Sequence, residues 1–262
     1  MQTRWNALLL ALPLLAQAAE EGDEIVTDRP DFVESSNVVG KGRFQIETSL
    51  ALERNKVDGI RERTYSTPTL LRFGIGEQLE FRIETDGRMR SVVTDLASGA
   101  RQTDNGYADT ALGLKWHVAD AEGNRPSMGI LAHVDLDSGS RAFRAAGTGG
   151  SLRLAAEWEL PDEMGLGVMP GIAWQYDDNG ERYTSGIFGI VLGKNWTEAC
   201  RTFIEYAAPQ IARSRHGGTQ GSFDIGASYL LTKTLQIDTA LSRGLNRNTP
   251  DWSWTVGFSA KF

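Results

Sequence analysis

Charged residues in this chain recur on a regular beat. Arg43, Glu47, Arg72, Glu80, Arg82, Glu84, Lys115, Asp135, Arg153, Glu157 and Glu205 sit in stretches where apolar residues fill the positions between. A period of two puts charge on one face of an extended strand and apolar side chains on the other. Gathered around a small interior, such residues could pair into a lattice that fills the space. They could equally wall a charged constriction that selects solutes. If the turn at Gly74–Gln78 is symmetric about Gly76, Arg72 falls opposite Glu80. A cross-strand pair of that kind is worth a few tenths to about 1 kcal/mol.

Catalytic and metal chemistry find less support. A hydrolase needs a nucleophile, a base and an orienting group within hydrogen-bond reach. The chain has three histidines, His117, His133 and His216. His133, Asp135 and Asp137 share one face, but three ligands along one straight strand are too spread to converge on an ion. No Ser is placed on a lipid-facing side, where a lipid hydrolase would act. Gly147-Thr148-Gly149-Gly150 lacks a following helix and reads as a loop end, not a phosphate cradle. Cys200 stands alone, which excludes an intramolecular disulfide and a cysteine metal site. No enzyme activity, cofactor or metal is expected.

The elements that position the charged set begin at Gly42. From there about ten residues of alternation are followed by a break, and the plan repeats twelve times. Trp252, Trp254, Val256, Phe258, Ala260 and Phe262 oppose Ser253, Thr255, Gly257, Ser259 and Lys261. Only Tyr183–Lys194 alternates poorly. Predicted turns at Gly74–Gln78, Pro161–Gly165, Asn195–Glu198 and Thr232–Thr234 are short; Ala119–Pro126 is longer. Loops predicted on the other side include Arg88–Gly106, Ser138–Gly149 and Pro209–Gln220. Aromatics mark both ends of the strands: Phe73, Trp116, Trp158, Trp196, Tyr229 and Phe262 at one, Tyr65, Tyr107, Trp174, Tyr176, Tyr183, Tyr206 and Trp252 at the other. Two such girdles belong to a closed antiparallel transmembrane β-barrel with short periplasmic turns and longer outer loops.

The N-terminus fits export to that membrane. Arg4, the apolar run Ala7–Leu15 and Ala16-Gln17-Ala18 compose a secretory signal peptide over residues 1–18. Residues 19–41 are a polar segment, and residues 42–262 the barrel. Within the polar segment Pro30 constrains its neighbours, Asp28 and Asp31 can accept backbone hydrogen bonds, and Phe32 can anchor in an apolar niche. Asp28, Arg29, Asp31 and Phe32 are therefore candidates for a lumen plug, against a loose periplasmic leader. The formal charge of -7 argues against nucleic acid as a partner.

Several motifs extend the reading. Thr27-Asp28-Arg29-Pro30-Asp31-Phe32, Glu34-Ser35-Ser36 and Gly40-Lys41-Gly42-Arg43-Phe44-Gln45-Ile46-Glu47 open the mature chain. Thr67-Pro68-Thr69-Leu70-Leu71-Arg72-Phe73-Gly74, Gly113-Leu114-Lys115-Trp116-His117 and Pro250-Asp251-Trp252 follow. Together they resemble the transporter family of the MetA pathway of phenol degradation, barrels of the Gram-negative outer membrane. The resemblance covers nearly the whole mature chain and implies transport of a small, aromatic or other organic solute. The ending on Phe262 resembles the strand signal read by the barrel-assembly machinery. Expected partners are outer-membrane lipids and lipopolysaccharide, that machinery and a small-molecule solute. A non-conducting structural barrel and an outer-membrane hydrolase are the alternatives.

Overall fold

The computed structural model describes residues 24–177 and 179–262. The signal peptide expected over residues 1–18 lies outside the described residues. Fifteen β segments form one antiparallel sheet that closes through pairing of its first and last strands. They are β1 (Phe44–Val57), β2 (Ile60–Ser66), β3 (Thr69–Gly74), β4 (Leu79–Thr85), β5 (Arg88–Asp95), β6 (Arg101–Tyr107), β7 (Thr110–Ala119) and β8 (Ser127–Leu136). β9 (Gly149–Leu160), β10 (Met164–Tyr176), β11 (Arg182–Asn195), β12 (Cys200–Ile211), β13 (Gln220–Thr232), β14 (Leu235–Gly244) and β15 (Trp252–Lys261) complete the wall.

Twelve staves build the closed barrel, as the alternation predicts. The higher segment count arises because three staves are interrupted at one level. Thr67-Pro68 divides β2 from β3, Asp86-Gly87 divides β4 from β5, and Ala108-Asp109 divides β6 from β7. Proline removes a ladder donor, and Gly87 takes a positive φ of 65°, so neither site continues a regular strand. Above the interruptions, β2, β5 and β6 with the upper part of β1 make a sheet beyond the barrel wall. The stretch Arg88–Gly106, expected as a loop, is thus mostly a hairpin. Its strands carry polar residues on both faces, Arg88, Arg90 and Arg101 on one and Ser91, Asp95 and Asp104 on the other, with Met89, Val92 and Val93 divided between them, so no apolar stripe marks a lipid-facing side.

The face assignments follow parity. Gln45, Glu47 and Ser49 are buried toward the lumen, whereas Leu50 between them and the outer rim is 70% exposed on the lipid side. Trp116, Trp196, Tyr229 and Phe262 are exposed at the periplasmic end, and Tyr65, Tyr107, Trp174, Tyr206 and Trp252 at the other. Tyr183 departs from the outer girdle: it turns inward, stacks on His216 with centroids 4.6 Å apart and donates to Gln210. The seam is closed by reciprocal backbone hydrogen bonds between Phe44 and Phe262, whose rings also stack 6.0 Å apart beside Phe73.

Candidate functional site in the barrel lumen

Residues 24–41 form no strand, and their backbone groups must find partners elsewhere. Among the described residues, the carboxylates of the wall fill much of that role. Glu47 accepts from the Asp28 amide at 3.0 Å, Glu205 from the Phe32 and Val33 amides at 2.8 and 2.7 Å. Glu157 accepts from both the amide and the hydroxyl of Ser36 at 2.6 Å, and Glu80 from the Val39 amide at 2.9 Å. Cations of the wall meet the segment's carbonyls in turn. Arg72 donates to Val26 and Asn37, and Lys115 to Ser35. These partners lie on β1, β3, β4, β7, β9 and β12, so the segment is held from many sides of the interior.

Asp28 occupies the centre of the charged wall. Its carboxylate lies 2.7 Å from Lys115, 3.0 Å from Arg82 and 3.5 Å from Arg72. Glu34 joins the cluster through Arg82 at 2.6 Å and Arg153 at 2.8 Å. Arg72 also contacts Glu47 at 3.0 Å and Glu80 at 2.9 Å. Arg82 Nε stands 2.9 Å from Glu84 without hydrogen-bond alignment, and the same carboxylate contacts His133 at 3.0 Å. Arg72, Arg82, Lys115, Glu47 and Glu80 are essentially inaccessible to solvent. Ions so buried persist only when paired, because the low-dielectric interior offers no other compensation.

The predicted Arg72–Glu80 contact exists, but its register differs. Arg72 lies directly across from Arg82, and Glu80 across from Gly74. The hairpin is centred on Glu77 rather than Gly76, so Arg72 reaches Glu80 on the diagonal. Arg43 precedes β1 and borders a cavity at the periplasmic mouth with Glu77 and Lys261. Asp135, Arg153 and Glu84 border the outer vestibule, together with Asp28, Arg29, Asp31 and Phe32. Arg29 pairs with Asp238 at 3.3 Å and Asp31 with Arg201 at 2.6 Å. Asp238 and Arg201 share the inward parity of their strands, yet nothing in the sequence marks them as partners of a segment about two hundred residues away.

The opposite wall holds an apolar cluster beside Glu205 and Arg201. Val33 packs with Met169, Val191, Phe203 and Ala240, and Phe32 lies against the cluster. Two inward glycines make the hollow. A Cβ at Gly189 would stand 2.6 Å from Val33 and 2.9 Å from Phe32, and one at Gly167 would stand 3.0 Å from Val33.

Two polar clusters bear on the catalytic and metal alternatives. Ser151, His133 and Glu84 line up in the order of a hydrolytic triad, but Ser151 Oγ is 3.5 Å from His133 Nδ1. That exceeds the 2.6–3.2 Å expected of an activated nucleophile, and Glu84 is already shared with Arg82. In the outer loops, Asp177, Glu181 and His216 bring their ligand atoms within 4.8 Å of one another. Arg215 Nε donates to His216 Nε2 at 2.9 Å, and His216 Nδ1 then donates to Asp177 at 2.8 Å. Both ring nitrogens are used, which makes this a loop clamp. The hydrogen bond from His216, with those from the Glu181 and Asn179 amides, lowers the Asp177 pKa from its ordinary value.

The family model described as "Putative MetA-pathway of phenol degradation" matches residues 27–262. The chain belongs to this family. The match begins at Thr27 and so takes in most of the luminal segment with the barrel. Among solved structures, the fold is similar to an outer-membrane channel from Pseudomonas putida F1, at 13% identity and a TM-score of 0.61, over 89% of this chain and 99% of that one. The NanC porin is similar at 9% identity and 0.51, over 84% and 100%. The transport unit of the autotransporter AIDA-I from Escherichia coli is similar at 14% identity and 0.51, over 88% and 93%. These likenesses place the fold among Gram-negative outer-membrane barrels. No curated relative matches the sequence.

Proposed function

We propose that this protein is an outer-membrane channel for small solutes, closed at rest by its N-terminal segment. One observation carries the reading. The segment lies between an outer vestibule of about 510 Å³ and a periplasmic chamber of about 1000 Å³, with Asp28 and Asp31 bordering both. A passage that is open on both sides and occupied at its waist has the form of a gated channel. Arg72, Glu80, Arg82, Glu84 and Lys115 then act as anchors of the gate, and Glu84, Asp135 and Arg153 as walls of the outer approach.

The chemistry of the vestibule bears on the solute. Eight carboxylates and three guanidinium groups border it, a balance that raises local cation concentration and disfavours anions. Family membership supports a small organic solute, aromatic ones included. The vestibule suits such a compound in its neutral form better than as a carboxylate or phenolate. Contacts of Phe262 with the barrel-assembly machinery and of the apolar band with outer-membrane lipid belong to the same proposal.

The test is reversal potential in planar bilayers under a salt gradient, for a variant lacking residues 24–36 and for the same variant carrying Glu84→Gln, beside the closed parent. Cation preference that weakens in Glu84→Gln supports the channel. A parent and variants that never conduct, and proteoliposomes that exclude neutral aromatic solutes as well as ions, would support the non-conducting barrel instead.

A further inference from the structure

Beyond the barrel wall, the four-stranded extension sorts its charges by face. β1 is continuous, so the parity that turns Leu50 and Leu52 toward lipid also turns Arg54 and Lys56 outward. The register carries that face across the sheet. Arg54 lies opposite Arg63, and Lys56 opposite Arg61, on β2. Tyr65 of the same face lies opposite Arg90 of β5, with Arg88 two residues before it. Thr94 of β5 lies opposite Arg101 of β6. The outward face thus carries seven basic side chains and no acidic one.

The inward face is the converse. Glu53, Glu62, Asp95 and Asp104 all have inward parity, and no Lys or Arg of these four strands joins them. Ser91 donates to Glu62 at 2.7 Å on that inner face. Chance placement of eleven charges would mix the signs, and cross-strand pairing would favour alternating them. Directly opposed Arg54–Arg63 and Lys56–Arg61 instead place like charges together, which destabilises a sheet unless an anion lies against it. None of the seven basic side chains makes an ion pair or a side-chain hydrogen bond among the described residues. Arg63 Nε is even shielded from solvent without a partner.

Position identifies the anion. Arg54 follows the exposed Leu50 by four residues, a rise of about 13 Å, and the girdle residues Tyr65, Tyr107 and Trp252 lie at the same rim. The basic face therefore begins where the apolar band ends, at the headgroup level of the outer leaflet. We propose that the outward face of this extension is a docking surface for lipopolysaccharide. Its Arg and Lys side chains would receive the phosphates of lipid A and the inner core. Guanidinium groups suit this role because their planar forks bind phosphate oxygens bidentately. The inference does not depend on whether the lumen conducts.

The experiment uses full-length folded protein in detergent and native mass spectrometry. The probes are bisphosphorylated lipid A, dephosphorylated lipid A and inorganic phosphate. The parent should retain bisphosphorylated lipid A, bind the dephosphorylated form weakly and gain nothing from phosphate. The Arg61→Gln/Arg63→Gln/Arg90→Gln variant should bind bisphosphorylated lipid A on the order of a hundredfold more weakly. An Arg141→Gln/Arg144→Gln/Arg213→Gln variant removes the same charge from other outer loops and should bind like the parent. Heat-modifiable migration checks folding. If the triple variant fails that check, Arg61→Gln and Arg90→Gln are read singly, each about fivefold weaker. Equal loss in the two triple variants, indifference to lipid A phosphates, or equally tight capture of inorganic phosphate would overturn the proposal.

Discussion

Along β1, β3, β4 and β7 the lumen meets the N-terminal segment with Glu47, Arg72, Glu80, Arg82 and Lys115, all buried and all paired. Along β10, β11 and β12 it meets the same segment with Gly167, Met169, Gly189, Val191 and Phe203 around Phe32 and Val33. The first wall holds by charge and needs every partner in place. The second holds the two side chains by shape and gains from excluding water, with Glu205 of β12 accepting their backbone amides. A segment fixed by both has a defined position, since ions specify where it sits and the hollow specifies which side chains enter. The comparison also indicates where a gate would yield. Loss of one ion leaves other ions stranded, whereas filling the hollow displaces only two side chains.

The largest effect should come from the charged wall. Arg72→Gln leaves Glu47, Glu80 and Asp28 short of a cation, and breaking a buried cluster in this way costs about 3–5 kcal/mol. The unfolding midpoint of the folded barrel in detergent should fall accordingly. A midpoint equal to the parent's would mean that water, not Arg72, compensates these carboxylates.

A change on the lipid face calibrates that figure. Ile130→Arg, on the outer surface opposite Leu154 and Trp116, should cost up to about 2–4 kcal/mol, the figure for a cation at the bilayer midplane. Arg153→Lys on the luminal face should cost much less. Equal sensitivity at both positions would contradict the assigned faces.

The apolar wall should respond more mildly to stability assays. Gly189→Val puts methyl groups where Val33 and Phe32 now lie, an overpacking worth about 1–3 kcal/mol. The segment can move away, so the expected result is a nearly unchanged midpoint with faster protease cleavage near Phe32. Unchanged cleavage would show that the hollow is deeper than its contacts indicate.

The outer clamp gives the smallest effect. Because the Asp177 pKa is lowered in the folded loop, its contribution is present above the ordinary aspartate range. It is lost as pH falls through the lowered value. Asp177→Asn should speed amide exchange at Glu181 at neutral pH while leaving the barrel strands protected. Identical exchange in the parent and the variant would leave the clamp without a role.

How much of this could be read from residues alone depends on what each face touches. Where one face meets lipid, alternation is plain, and the staves containing Gln45–Leu52 and Trp252–Phe262 were legible. β11 alternates poorly because Ile187 and Val191 are buried on its luminal side while Phe188 and Ile190 face outward. Its apolar inner residues serve the luminal segment, and that cannot be inferred before the segment is placed. β5 and β6 read as loop in the sequence because neither face meets the apolar interior of the bilayer. Inward charges such as Arg82 and Lys115 were found by parity. Their partners Asp28 and Glu34 lie in an irregular stretch with no periodicity, where only the family-like motif signalled importance.

We propose that residues 24–41 close a channel that is otherwise open. Single-channel recording of the folded parent beside a variant lacking residues 24–36 tests it most directly. The parent should be closed or open only briefly, and the deletion variant should show a stable, cation-preferring conductance with the parent's heat-modifiable migration. A folded deletion variant that conducts no better than the parent would contradict it.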